Sequence, residues 1–247
     1  MEERCDVEDH DYGNPVSYYE TYYDSLTCGN ADGFVAKICH LNMEKSLPKK
    51  LNLKDPTDSG GSEVVFLEVG AGTGTHLKFV ESSFDRYIVS DISENSLRVA
   101  EANFKDDPRN LIYKTANAER LDFPDGQFDR VIASCVILHL RDPESALKEW
   151  IRVTKPGGVI TVYVPADPEP LLRLARKIST ERSAKKAGFK GFELLMAREH
   201  INSARNIDTF VKFLSKNHQL KVFTWPFRYS PMSLRVFTVY HLTKHNL

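Results

Sequence analysis

The stretch Val64-Val65-Phe66-Leu67-Glu68-Val69-Gly70-Ala71-Gly72-Thr73-Gly74-Thr75-His76-Leu77 decides the architecture of this chain. Its first six residues are an apolar run rich in β-branched side chains, the composition of a strand covered on both faces. Three glycines at alternate positions follow, and they let the backbone turn tightly and approach a ligand closely. Either such a strand-to-helix corner cradles an adenosine-bearing cofactor or it binds nothing. Spacing separates the cofactors: a dinucleotide fingerprint, G-x-G-x-x-G, would need glycine at Thr75, so that match fails.

Around this stretch the chain alternates. Strand patterns at 64–70, 87–91, 111–116, 129–136 and 158–164 are separated by helical stretches at about 74–82, 93–105 and 143–154. That order implies βαβ units and a mostly parallel sheet. The helix at 143–154 has the clearest punctuation, with Asp142 placed to cap it, Pro143 at its first position and Lys155-Pro156-Gly157-Gly158 to end it. Residues 166–203 carry helical patterning without a strand, and Ile207, Phe210, Val211, Phe213 and Leu214 mark a further amphipathic helix. Two last strands, about 221–228 and 235–243, are joined by a short link near Ser230-Pro231.

The N-terminal part reads differently. Residues 1–14 are acidic and poor in apolar side chains, a flexible tail. In 15–62, Tyr18, Tyr19, Tyr22, Tyr23, Leu26, Phe34, Val35, Ile38 and Leu41 fit one or two amphipathic cap helices, and 44–62 a loop leading to the core at 63–247. The tyrosines either dock that cap or close over the cofactor.

With 247 residues there is room for one sizeable α/β domain with an elaborated cap and not for two full domains. Hydrophobic content of 41% and charged content of 27% are those of an ordinary globular protein, and a net charge of −1 leaves a polyanionic partner undecided. Cys5, Cys28, Cys39 and Cys135 make no C-x-x-C pair, which argues against a disulfide scaffold and a structural zinc site. The acidic start is no secretory signal, and no apolar run approaches the roughly 20 residues that span a bilayer. A reducing cytoplasm is the expected setting.

Several motifs line up with the opening stretch. Asp91 ends Tyr87-Ile88-Val89-Ser90-Asp91, 21 positions after Gly70, where an ionised carboxylate can accept from both hydroxyls of a ribose. Together with Glu68-x-Gly70-x-Gly72-x-Gly74, this resembles the first motifs of class I S-adenosylmethionine-dependent methyltransferases. Ala116-Asn117-Ala118-Glu119-Arg120-Leu121-Asp122-Phe123-Pro124-Asp125-Gly126-Gln127-Phe128-Asp129 looks like the third motif of that family. An Asp usually stands there in place of Asn117, whose carbonyl can still accept from the adenine amino group. The resemblance implies a Rossmann-like α/β fold: a seven-stranded, mostly parallel sheet with an antiparallel last strand, helices on both faces, and a helical cap inserted at 166–203. It also implies S-adenosyl-L-methionine as cofactor, held by Glu68, Gly70, Ala71, Gly72, Gly74, Asp91, Ile92, Asn117, Ala118 and Ser134.

At the fourth strand end, Ser134-Cys135-Val136-Ile137-Leu138-His139 lacks the Pro-Pro-aromatic signature of nucleic-acid amine methyltransferases and looks like the Leu-His-His-type motif of small-molecule members. No nucleic-acid partner is therefore expected. Displacement at a sulfonium needs no metal, but a hydroxyl or acidic carbon acceptor gains from a base, and imidazole titrates nearest neutrality. His139 and His200 are the catalytic candidates, with His76 third and more readily read as packing. Glu199-His200-Ile201-Asn202 resembles a subgroup tied to cell-surface polysaccharide and lipid-intermediate biosynthesis, which makes O-methylation of a sugar, nucleotide-sugar or lipid-linked intermediate the first expectation. Quinone C-methyltransferases, which the third-motif region also resembles, are the alternative, and a cofactor-binding protein without turnover is the non-enzymatic one. Between Leu171 and Gly191, Arg173, Arg176, Lys177, Arg182, Lys185, Lys186 and Lys190 face the single acid Glu181. That stretch is a solvated face, a site for a phosphorylated acceptor, or a contact with an anionic membrane surface.

Overall fold

The computed structural model describes residues 34–48, 63–178, 181–182 and 192–245. The expected acidic tail, the tyrosines, most of the 44–62 loop and Lys185, Lys186 and Lys190 lie outside the described residues. Seven strands, β1 (Val65–Val69), β2 (Arg86–Asp91), β3 (Leu111–Thr115), β4 (Phe128–Ser134), β5 (Thr154–Pro165), β6 (Gln219–Pro226) and β7 (Arg235–Thr243), form one sheet ordered β3-β2-β1-β4-β5-β7-β6. All pairings are parallel except those of β7 with β5 and β6, so the last strand alone runs against the rest. The fold is the Rossmann-like one expected above.

Alternation along the strands loads both faces. Val65, Leu67 and Val69 point to one side, where Leu147 and Trp150 of α3 (Pro143–Val153) and Ile207 and Val211 of α6 (Ala204–Leu214) cover them. Phe66 points to the other side with Tyr87, Val89 and Ile132, under α1 (Phe34–Lys45) and α2 (Glu94–Asn103). Every residue of β1 is buried, and each of its four apolar side chains contributes about 1.5–3 kcal/mol relative to exposure, Glu68 being the exception. This explains why the strand reads as a continuous apolar run. Two further helices, α4 (Pro170–Ile178) and α5 (Phe192–Glu199), belong to the segment between β5 and α6.

Three elements differ from expectation. The helix at 74–82 is only a 3₁₀ turn, Thr75–Phe79, because the adjacent His76 and Leu77 both go inward and Ser82-Ser83 offers no apolar face for another turn. Lys155 to Gly158, expected to end α3 as a loop, lie within β5: Thr154 pairs with Phe128, the register shifts, and pairing resumes at Arg130 and Val159. Glu44, placed at the start of the 44–62 loop, is instead buried in the last turn of α1. The Asp142 cap is as anticipated, its carboxylate accepting from the Ser145 N–H at 2.9 Å.

His241, near the end of β7, is fully buried between the Ser46 hydroxyl at 2.7 Å and the Thr161 hydroxyl at 3.1 Å. Burial, reinforced by the Arg130 charge, pushes its imidazole down to about 3. The unfolded chain binds that proton below about pH 6.5 and the folded chain does not, so acid favours unfolding between the two values, by about 1.4 kcal/mol per pH unit. His241→Asn is expected to flatten the fall in stability between about pH 6 and about pH 4.5 by this slope in urea titrations. An unchanged slope would show that the residue is not a buried neutral imidazole.

Candidate functional site

The turn after β1 is built by conformation. Gly70 has φ 62°, and a Cβ there would lie 2.3 Å from Val136 Cγ2, so no larger residue fits. The Ala71 N–H donates to Ser90 O at 2.9 Å and the Gly74 N–H to Ala71 O at 2.9 Å, closing the turn over the tip of β2. Asp91 locks it: Oδ2 accepts from the Gly72 N–H at 2.8 Å and Oδ1 from the Ser93 N–H at 2.9 Å. Burial pushes this carboxyl up, against the backbone N–H groups of Ser93, Gly72 and Ile92. Each oxygen keeps a second lone pair, enough for two hydroxyl donors.

Two further features fit an aminoacyl adenosine. Ile92, a large apolar side chain just after Asp91, is 71% exposed and offers an apolar surface on which a planar base can pack. Glu68, fully buried in β1, accepts from the Tyr87 hydroxyl at 2.6 Å through Oε2, while Oε1 is buried without a hydrogen-bond partner among the described residues. Burial pushes the Glu68 carboxyl up, and its orphaned oxygen is open to a donor from a ligand or a water molecule.

The loop carrying Asn117 and Ala118 is clamped to α3. Trp150 Nε1–H donates to Ala118 O at 3.0 Å, Arg152 donates to Leu121 O and Phe123 O, each at 2.9 Å, and Glu149 accepts from the Leu121 N–H at 2.9 Å. The Asn117 side-chain carbonyl already accepts from the Glu119 N–H at 2.9 Å, so only its second lone pair is open to an adenine. Ser134 ends β4 beside Tyr163.

Beyond Ser134 the chain enters a 3₁₀ turn, Val136–His139, through Cys135 at φ 67°. This turn and the end of α5 bring His139 and His200 together, with ring centroids 4.9 Å apart and edge to face. His200 Nδ1 is 2.5 Å from Asp167 Oδ2, and that carboxylate also accepts from Arg176 at 2.7 Å. His139 Nδ1 is 3.8 Å from Glu199 Oε2. Asn202 joins the two segments, its N–H donating to Leu138 O at 3.1 Å and its amide to Leu140 O at 2.6 Å. Burial opposes charge throughout, yet bonds with His139 and His200 pull the Cys135 thiol down to about 6. Against the same burial, Cys135 and Glu199 push His139 up to about 9, and Asp167 and Cys135 raise His200.

The sequence reading missed Cys135, Asp167, Arg176 and Glu199 as members of this group. A Cys-x-x-x-His spacing at a strand end was the available signal for Cys135, whereas Asp167 carries none, because its partner lies 33 residues on. His76 stands apart, buried under the glycine turn with Nε2 3.1 Å from Glu44 Oε1 and Nδ1 3.0 Å from His40 Nδ1. Of the basic stretch, Arg176 is held by Asp167, while Arg173 and Lys177 are exposed. Among the described residues no helix is long and apolar enough to cross a membrane.

Comparison with known proteins agrees with this geometry. Residues 67–162 match the model of a methyltransferase domain family. A ubiquinone/menaquinone biosynthesis C-methyltransferase of Vibrio cholerae is 36% identical over 115 residues, 44% of either chain. An uncharacterised methyltransferase of Schizosaccharomyces pombe is 35% identical over 107 residues, 38% of this chain and 37% of that one. The chain thus spans less than half the length of these curated relatives. In fold it is similar to the CurJ carbon methyltransferase, with a TM-score of 0.65 and 20% identity over 94% of this chain and 61% of that one. It is similar also to a Methanococcus maripaludis protein, with a TM-score of 0.63 and 13% identity over 97% and 98% of the two chains. The glycine turn, the strand-end carboxylate and the sheet order therefore agree with one finding: residues 67–162 match a methyltransferase domain family, and the chain has the Rossmann-like fold of solved methyltransferases.

Proposed function

We propose that this chain transfers a methyl group from S-adenosylmethionine to a small-molecule acceptor positioned beside His139 and His200. The observation that carries the reading is convergence: the glycine turn of β1, Asp91 at the end of β2 and the histidine pair after β4 all sit at the carboxyl ends of neighbouring parallel strands. When bound, the cofactor supplies a sulfonium methyl group for in-line displacement, a reaction governed largely by positioning in a water-poor pocket. In this role Asp91 accepts from the ribose hydroxyls, Ile92 covers one face of the adenine, Asn117 and Ala118 meet its edge, and Glu68 takes a donor from the amino-acid end.

The histidines act on the acceptor. Held protonated up to about pH 9, His139 donates to an oxygen and stabilises negative charge on it, which is a different task from the base first expected of it. His200, oriented by Asp167, is the second donor. An acceptor that reacts through a stabilised oxyanion, at the oxygen or at a conjugated carbon, suits this pair. The relatives named as quinone C-methyltransferases favour carbon on an aromatic or enolic acceptor. O-methylation of a phosphorylated sugar or lipid-linked intermediate is the second reading, supported by the exposed Arg173 and Lys177 on α4.

His139→Ala is expected to lower turnover about a hundredfold while cofactor affinity, read by calorimetry, stays close to wild type. Equal losses in both would remove the residue from the acceptor side. Mass spectrometry of cell extract incubated with methyl-labelled cofactor identifies the acceptor: label on an aromatic carbon supports the first reading and label on a sugar oxygen the second. Cofactor binding with no labelled product would favour a binding protein without turnover.

A further inference from the structure

We infer that Cys135, His139 and His200 form a binding site for a zinc-type divalent ion, with one coordination position left open. One donor atom from each of the three residues lies within 4.8 Å of the others. Zn–S and Zn–N bonds of about 2.3 and 2.0–2.1 Å place tetrahedral donors roughly 3.3–3.6 Å apart, so closing the site takes about an ångström of side-chain movement. A thiolate with two imidazoles is a zinc donor set, and three protein ligands are the number found where the fourth position is kept for water or substrate. The set holds a single cysteine, so the lack of a C-x-x-C pair in the chain does not bear on it.

The surroundings are those of ligands rather than of free side chains. Asp167 holds His200 Nδ1 at 2.5 Å, which fixes the ring and leaves Nε2 for the cluster, and Arg176 holds Asp167 in turn at 2.7 Å. Glu199 stands behind His139 Nδ1 at 3.8 Å. The carboxylate bonded to His200 is the arrangement that sets ring orientation and raises basicity in a ligating histidine, and Glu199 adds a negative charge near His139 at longer range. The cysteine is placed with equal firmness: its N–H donates to Tyr163 O at 3.2 Å, and its φ of 67° is a left-handed conformation that a side-chain-bearing residue rarely adopts and that concentrates at functional sites. All three ligands are only partly buried, which gives an ion a way in and leaves a side of it uncovered.

What the open position does rests on the methyl-transfer reading; ion binding does not. With the ion bound, the two imidazoles would be neutral ligands, and the ion would take over the charge-stabilising task proposed for them in metal-free protein. An acceptor hydroxyl at the open position would release its proton to bulk water more readily and keep the electron pair that forms the new bond to the methyl carbon as the bond from that carbon to the sulfonium sulfur breaks.

The test uses the full chain without an affinity tag, stripped by chelator and titrated with Co²⁺ alone. One equivalent should give tetrahedral d–d absorption with a thiolate-to-metal charge-transfer band, abolished by Zn²⁺. Cys135→Ser should lose that band. Asp167→Asn, which touches no metal, should weaken the affinity about 10–100-fold while S-adenosylmethionine affinity, measured on metal-free protein, is unchanged. No cobalt spectrum, or the same spectrum in wild type and Cys135→Ser, overturns the site and leaves a hydrogen-bonded cluster or an adventitious ion. Failure of metal-free protein to bind S-adenosylmethionine would instead sink the methyl-transfer reading and leave the ion site standing.

Discussion

Replacing Glu44 by alanine is expected to destabilise the folded chain by about 3–5 kcal/mol, the cost of leaving a buried charge without its counterion. Arg130, in the middle of β4, has no exposed surface, and Glu44 binds it bidentately, at 2.6 and 3.0 Å. Arg130 Nε is buried without a partner among the described residues, so the hydrogen bonds of the guanidinium there all go to this one carboxylate. Although burial raises it, the Glu44 carboxyl is held down to about 2, first by the Arg130 charge and then by its bond to His76. A folded-state value below the ordinary 4.5 means that this stabilisation is present above about pH 4.5 and disappears as the pH falls through about 2. The effect of Glu44→Ala should therefore shrink in acid. At neutral pH, urea denaturation of Glu44→Ala, Arg130→Met and the double variant separates the contributions, because the double variant removes the orphaned charge and should recover most of the loss. A loss below about 1 kcal/mol, or no recovery, would show that Arg130 has another counterion. The pair also concerns the cofactor turn: the same Glu44 holds His76, two residues after Gly74.

That pair marks the boundary of what the amino-acid order makes legible. β1, the glycine turn and α3 are legible because their determinants are local: a β-branched run, residues that permit positive φ, and an aspartate cap three residues from the N–H it accepts. Asp91 is legible because it stands at a fixed distance from the turn it locks. Glu44 and Arg130 are not, since 86 residues separate them and a lone charge in a helix or a strand looks like any solvated one. The 3₁₀ turn at Thr75–Phe79 is misjudged for a related reason: whether a residue such as His76 faces in or out depends on a partner supplied by α1. His139 and His200 are found as histidines, but their roles depend on Cys135, Asp167 and Glu199, brought to them by the turn after β4 and the cap. Charge state is a property of the assembled group, so residue type alone suggests a base, whereas the proposed donor role follows from counting the thiol and the carboxylates around it.

Asp91→Ala should weaken S-adenosylmethionine binding by about 2–4 kcal/mol, roughly 30- to 1000-fold, because it removes two charge-assisted acceptors at once. The carboxylate has two tasks that add in the same direction. Toward the protein it ties the Gly72 and Ser93 N–H groups, at 2.8 and 2.9 Å, and so fixes the turn. Toward the ligand, in the proposed binding mode, its remaining lone pairs would accept from the ribose hydroxyls. Water can satisfy the two N–H groups in the variant, since Asp91 and Gly72 are only partly buried, so the fold should survive with a cost of about 1–3 kcal/mol. Asp91→Asn sharpens the result: one of its two oxygens becomes an NH₂ that opposes an N–H of the chain, so it should lose nearly as much affinity as alanine despite its near-identical shape. Burial raises the Asp91 carboxyl, so affinity should decline with acidity from a pH above the ordinary aspartate value of 3.8, as protonation removes an acceptor. Calorimetric titration across pH reads both effects. Unchanged affinity in Asp91→Ala, with the protein folded, would place the adenosine elsewhere and remove the proposed role of His139 and His200, since both are positioned by the same three strand ends.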